Sequence, residues 1–257
     1  MKILRQQPGA FKQDIQVETA IMKLGLVCNL PENTSYFTPD AFNKMLIEIS
    51  LTTALHGSKV ILPKMSVRDA FDIASMGEGF FVWGLSKIKG QIVIADHGSL
   101  VLQNGDMISI SYEGFPDACT TDLYAIDSPA KTNIFCSIEE IVVTGTKDLN
   151  ISDKTEIFFP VTDALGNGID KIQLQYADKT VTVDEEELKF INDSVNDISC
   201  VRQEQDVVTG LPVPGIYPVR FGFDRLLKLD VTHAYSVIIT PKTKTPISVY
   251  TNKSKAI

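Results

Sequence analysis

Phe42-Asn43-Lys44-Met45-Leu46-Ile47-Glu48-Ile49 and Ile169-Asp170-Lys171-Ile172-Gln173-Leu174-Gln175-Tyr176 carry one pattern twice, at an offset of 127 positions (171 − 44). In both, a lysine leads into apolar residues at alternate positions: Phe42/Ile169, Met45/Ile172, Ile47/Leu174 and Ile49/Tyr176, with Leu46/Gln173 the one mismatch. Period-two alternation is what a half-buried strand needs. Each copy is followed by a short β-branched run and then a helical stretch. In the first half these are Val60 to Leu62 and Ser66 to Ala74; in the second, Val181 to Val183 and Asp184 to Asp193. The offset of 127 then returns. Ile92 falls on Val219, Ile94 on Phe221, Leu100 on Leu227, Leu102 on Leu229, Ile108 on Tyr235 and Ile110 on Val237, while Val93/Arg220 and Ser111/Ile238 disagree.

An offset near half of 257 residues predicts two modules with a boundary near Thr146 to Ser152. The expected division is a basic N-terminal arm over 1–18, a first module over 19–148 and a second over 149–257. Further alternating runs, at Gln91 to Ile94, Met107 to Ser111, Glu140 to Val143, Thr180 to Val183, Ser236 to Ile239 and Ile247 to Tyr250, make the chain all-β. Turn residues punctuate them at Asn104-Gly105-Asp106, Gly114 to Asp117, Gly166-Asn167-Gly168 and Pro212 to Gly215. Helices are predicted at Ser66 to Ala74, with Ser66 as N-cap, and at Asp184 to Asp193, where an acidic first turn suits the macrodipole. Pro39 to Glu48 is a third candidate that could equally feed a strand. The expected fold is two consecutive jelly-roll β-sandwich modules, each with one or two short helices. A pair of immunoglobulin-like sandwiches competes, but the single Trp83 lacks the flanking cysteines of that fold.

Composition narrows the function. A formal net charge of −8 disfavours nucleic-acid phosphate over the surface as a whole. No apolar run is long enough to span a bilayer, and none follows Lys2, Arg5 and Lys12 as a secretory signal would require. Cys28, Cys119, Cys136 and Cys200 have neither zinc nor disulfide-framework spacing and read as buried free thiols. GxSxG, GxxxxGK[ST], HExxH and GxGxxG are all absent. His56, His97 and His233 are scattered; Asp96-His97-Gly98-Ser99 holds triad residue types, but neighbours on a strand face opposite ways. No catalytic residue, cofactor or metal ligand is expected. Both termini are basic and free of acids, at Met1 to Lys12 and Lys242 to Lys255, which would suit solvated tails or contact with an anionic surface.

This layout resembles the double jelly-roll major capsid proteins of tailless icosahedral bacteriophages with an internal membrane, the corticovirus-like coat proteins among them. The resemblance rests on the Lys44- and Lys171-led strands, the strand-then-helix step after each, and the paired hairpins at Ile92 to Ser111 and Val219 to Ile238. It implies a structural, non-enzymatic subunit that forms homotrimers, pseudo-hexagonal capsomers of an icosahedral shell. Such a subunit would be made in the host cytoplasm and reside in the virion capsid. Its implied partners are copies of itself, vertex and membrane proteins of the virion and the internal lipid membrane, without sequence-specific nucleic acid. Lys2, Arg5 and Lys12 would face the membrane or interior. Two other classes stay open: a receptor- or carbohydrate-binding β-sandwich of a virion spike or vertex protein, with Phe80, Phe81 and Trp83 as an aromatic platform, and a cupin-type enzyme, which three scattered histidines serve poorly.

Overall fold

The computed structural model describes residues 2–6, 11–15, 20–31, 37–54, 57–77, 79, 81–83, 86–151, 156–195 and 225–257, without the side chains of 2–6, 11–15, 39, 83 and 193–195. It divides into two compact units. The first holds the described residues up to Ser137 together with Lys255–Ile257, and the second those from Ile138 to Ser254. The division therefore falls about ten residues before the expected seam.

In chain order the first unit contains β1 (Lys2–Gln6), β2 (Phe11–Ile15), β3 (Lys23–Asn29), α1 (Pro39–Lys44), β4 (Leu46–Thr53), β5 (Gly57–Ser66), α2 (Val67–Ser75), β6 (Phe81–Trp83), β7 (Lys87–Val93), β8 (Ser99–Leu100), β9 (Met107–Glu113), β10 (Thr120–Ile126) and β11 (Lys131–Thr132). β12 (Ile134–Val143) leads into the second unit. There follow β13 (Lys147–Asn150), β14 (Glu156–Pro160), β15 (Ile169–Gln175), β16 (Thr180–Val183), α3 (Glu185–Val195), β17 (Leu226–Asp230), β18 (Ser236–Pro241) and β19 (Ile247–Ala256).

One sheet of the first unit has the order β1-β10-β3-β7-β6, the other β2-β9-β4-β5. Alternation sets their inner faces. Leu24, Leu26 and Cys28 of β3 are buried with Ile88 and Ile92 of β7, and Ile47, Ile49 and Leu51 of β4 with Ile108 and Ile110 of β9. β8 and β11 form a two-residue parallel pair at the end of the unit. Gly114 turns the chain out of β9 at φ +73°, and a Cβ there would strike the Lys44 carbonyl oxygen.

The helices start where their capping residues stand. Thr38 Oγ1 accepts from Ala41 N at 3.1 Å to open α1, and Ser66 Oγ accepts from Asp69 N at 2.9 Å to open α2. α2 buries every residue except Asp69. Its Phe71 ring lies against Gly90 so closely that a Cβ on that glycine would come within 2.7 Å. Phe81 packs 5.3 Å from Phe71 and 5.4 Å from Phe42, which makes an aromatic core of the three.

In the second unit the orders are β12-β19-β14-β17 and β13-β18-β15-β16. The shared core takes Ile157, Phe159, Leu227, Leu229 and Val249 from one sheet and Leu149, Ile172, Leu174, Val237 and Ile239 from the other. Rank the eight principal strands of each unit in chain order: β1, β2, β3, β4, β5, β7, β9, β10 in the first, β12 to β19 in the second. Both units then read first–eighth–third–sixth in one sheet and second–seventh–fourth–fifth in the other. Eight antiparallel strands in this order are a jelly roll, and the fold is two of them in succession.

The repeat holds for β5 with β16, α2 with α3 and β9 with β18, and for β4 with β15 only from Leu46 onward, because Phe42, Asn43 and Lys44 end α1 where Ile169, Asp170 and Lys171 open β15. It is corrected in between. β17 takes the place of β7, so Leu227 and Leu229 answer to β7; Leu100, the expected match of Leu227, lies in β8, Leu102, that of Leu229, lies in the loop after it, and Val219 and Phe221 lie outside the described residues. A constant offset fails there because the connection before β9 runs from Ile94 to Asp106, whereas that before β18 spans only Val231 to Tyr235.

Candidate assembly surfaces

Lys2 and Arg5 lie on β1 and Lys12 on β2, so residues 2–6 and 11–15 complete the two sheets of the first jelly roll, where an arm outside it was expected. Charge at alternate positions of an edge strand reads as a tail in sequence, but such a strand needs few apolar residues. In Cα register Lys2 stands opposite Tyr124 and Arg5 opposite Asp122, while Lys12 stands opposite Ser111. Tyr124 and Asp122 belong to the outer face of one sheet, and Ser111 to the outer face of the other. The three basic residues therefore stand on two different sheets.

The outer face of the β1-β10-β3-β7-β6 sheet collects further positive charge. Register aligns Val27 with Lys89, Asn29 with Lys87 and Lys23 with Val93, and β10 adds Asp122, Tyr124 and Ile126. Among the described residues of this face, Lys23, Lys87 and Lys89 stand with one acid, Asp122, which is buried. The equivalent outer face of the second unit is different. Glu140, Glu156 and Asp230 stand there with Lys228, which pairs with Glu156, and Phe158 and Tyr250 on the same face are buried. No signal in the sequence marked the lysine face, because it appears only when β3 and β7 are laid in register.

One end of the second unit is tied by a single carboxylate. Glu185 opens α3 and is buried. Its Oε1 accepts from Thr162 N at 3.1 Å and from Lys189 Nζ at 3.1 Å; its Oε2 accepts from Lys242 Nζ at 2.7 Å and from the Thr162 hydroxyl. Burial pushes this carboxyl upward, but the Lys242 ammonium, the Thr162 donors and Lys189 outweigh it and hold the pKa at about 2. The loop after β14, the start of α3 and the loop after β18 are thus joined. Asp163 closes the first of these loops by accepting from Leu165 N and Asn167 N, each at 2.9 Å, and its bonds to Asn167 lower its pKa. Leu165 at its tip is 85% exposed, and Phe190 on α3 is 75% exposed. Asp163 in the same loop and Asp184, Glu186 and Glu187 at the start of the same helix are exposed acids, Glu186 paired with Lys189 at 2.8 Å. The acidic run is a capping box, as a helix start should be: Glu187 N donates to Asp184 Oδ1 at 2.8 Å and Asp184 N to Glu187 Oε2 at 3.1 Å.

α3 also closes a sheet edge. Asn192 Nδ2 donates to the Lys228 carbonyl at 2.9 Å, and Lys228 N donates to Asn192 Oδ1 at 2.8 Å. A side-chain amide thus does what another strand would do along β17. The basic C-terminal stretch is a strand, β19, with Lys253 ion-paired to Glu139 at 3.0 Å and Lys255 donating to Ser137 Oγ at 3.1 Å. Lys242 is held by Glu185, so these three lysines are engaged within the chain.

The remaining sequence candidates scatter. Ser99 is fully buried, and its Oγ accepts from Ser128 N at 2.6 Å. Asp127, bonded to the Ser99 hydroxyl and to Lys131, has its pKa lowered to about 2. His97 is exposed at φ 61°, and His233 is exposed in a turn. His56, Phe80, the Trp83 side chain, Pro212 to Gly215 and Cys200 lie outside the described residues. Phe81 is core, not platform. Cys28, Cys119 and Cys136 are buried free thiols. Burial raises the Cys28 thiol well above its ordinary range, and burial raises Tyr112 above them to about 12. Among the described residues no group of three or more His, Cys, Asp or Glu could hold a metal ion, and no helix is long and apolar enough to cross a membrane.

No model of a known protein family matches this chain, and no curated protein sequence matches it. Solved structures do. The major capsid protein P2 from bacteriophage PM2 superposes with a TM-score of 0.56 at 7% identity, over 100% of this chain and 95% of that one. PBCV-1 VP54, as fitted into a reconstruction of the virophage Sputnik, superposes with a TM-score of 0.48 at 7% identity, over 99% and 92%. At this identity the likeness to P2 is one of fold, and it extends over both jelly rolls.

Proposed function

We propose that this chain is a structural subunit of a viral capsid, associating as a trimer whose six jelly rolls form a pseudo-hexagonal capsomer. The observation that carries the reading is the doubled strand order, first–eighth–third–sixth and second–seventh–fourth–fifth, through the whole described chain. The same overall fold is found in a protein whose work is to build a capsid. Two jelly rolls per chain give a trimer six similar walls, the count a hexagonal lattice needs. The virion capsid is the expected location, with copies of this chain as first partners and vertex and membrane proteins of the particle as others. Lys2, Arg5 and Lys12, on the first strands of the two sheets, are proposed to face the membrane or interior of the particle.

Light scattering behind a sizing column tests the trimer. A mass about three times the 28.3 kDa of the chain supports it. A pentamer points to a vertex protein, and a monomer across a wide concentration range refutes the capsomer and returns the binding-module reading.

A further inference from the structure

A chain of net charge −8 that assembles with itself brings like-charged bodies together, and the repulsion grows with each copy added. Sorting charge into opposed patches removes that obstacle. We propose that the outer face of the β1-β10-β3-β7-β6 sheet docks against the Leu165–Phe190 end of the second unit of a second copy. The inference rests on the shell-subunit reading and assigns it a contact.

Complementarity carries it. The sheet face presents Lys23, Lys87 and Lys89, interleaved with the half-buried Val27, Val93 and Ile126. The opposing end presents the two most exposed large apolar side chains among the described residues, Leu165 and Phe190, together with Asp163, Asp184, Glu186 and Glu187. Apolar anchors inside a charged rim are the usual anatomy of a protein interface. The end is also rigid before docking, because Glu185 joins its loops, so little ordering opposes association. An anionic membrane would attract the same lysines. It offers nothing to Leu165 and Phe190, whose acidic neighbours it repels, whereas a second copy satisfies both surfaces at once. The two patches differ, so the contact is heterologous, the kind that closes into rings.

Charge reversal tests it. Lys87→Glu and Glu186→Lys are made singly and together; both side chains are exposed, and neither substitution enters a core. Assembly is followed by light scattering at low and high salt, with circular dichroism to check folding. Each single variant is expected to weaken assembly about tenfold, and the double variant to recover to within about threefold of the original. Wild-type assembly should also weaken as salt rises. Single variants that assemble like the wild type overturn the contact, and so does a double variant whose losses simply add. Vesicles of phosphatidylcholine and phosphatidylglycerol supply the lipid arm. Binding that Lys87→Glu abolishes while assembly is unchanged overturns the proposal in favour of a membrane. A wild type that stays monomeric overturns the shell reading itself, a result distinct from all of these.

Discussion

The two jelly rolls share one strand order but fasten the helix between their fifth and sixth strands by different chemistry. In the first, α2 is sunk into apolar surroundings, with Phe71 against Gly90 and Phe81. In the second, α3 buries Leu188 but is fixed at its two ends by polar groups, Glu185 at the start and Asn192 near the finish. Strand order alone does not dictate how a connecting helix is held. What decides is the face the sheet offers: a glycine opening on β7 takes a ring, and the exposed backbone edge of β17 takes an amide.

The contrast predicts a graded set of losses. Phe71→Ala should cost the most, about 3–5 kcal/mol, because a fully buried ring leaves a cavity between α2 and β7. Denaturant unfolding measures it, and a loss under about 1 kcal/mol would break the apolar half of the comparison. Lowering the pH should act on the other half. The Glu185 carboxyl is depressed from an ordinary 4.5 to about 2, so its contribution is full above pH of about 5 and is lost as pH falls towards 2, up to ~3 kcal/mol in all. A Glu185→Gln variant should unfold with a flatter acid limb, and an unchanged limb would remove Glu185 from its role. Asn192→Ala should cost about 1–3 kcal/mol by leaving the Lys228 amide and carbonyl without their partner, and should raise hydrogen exchange at Lys228. Glu113→Gln, which removes the half-exposed pair with Lys64 on the first unit, should change stability by less than about 1 kcal/mol. A larger effect would show that surface charge contributes where the fold suggests it does not.

What could be read in advance follows the same division. β4 and β15 announce themselves, because Ile47-Glu48-Ile49 and Ile172-Gln173-Leu174 are paired on one side with β9 and β18 and alternate cleanly. β14 did not, because Ile157, Phe158 and Phe159 are all buried and a strand covered on both faces has no period. β3 was hidden by Gly25, a poor strand former that is suited here because a Cβ would come within 3.2 Å of Tyr124 Cβ. The acidic start of α3 was legible as a helix start. That Glu185 rather than its neighbours ties the end together was not, since its partners Thr162 and Lys242 lie 23 and 57 positions away. Asn192 reads as a surface residue until β17 is placed beside it.

The pairing of first strand with last has a consequence in time. β1 is made before β10 (Thr120–Ile126) and must wait for it, and β12 must wait for β19 (Ile247–Ala256). Neither wall can close before its own last strand is made. A nascent chain cut short inside the second jelly roll would carry a first wall already folded and a second that cannot form, and loop closure over such distances makes the last step slow. The order of strands thus acts as a completeness check on each subunit before it can join its neighbours.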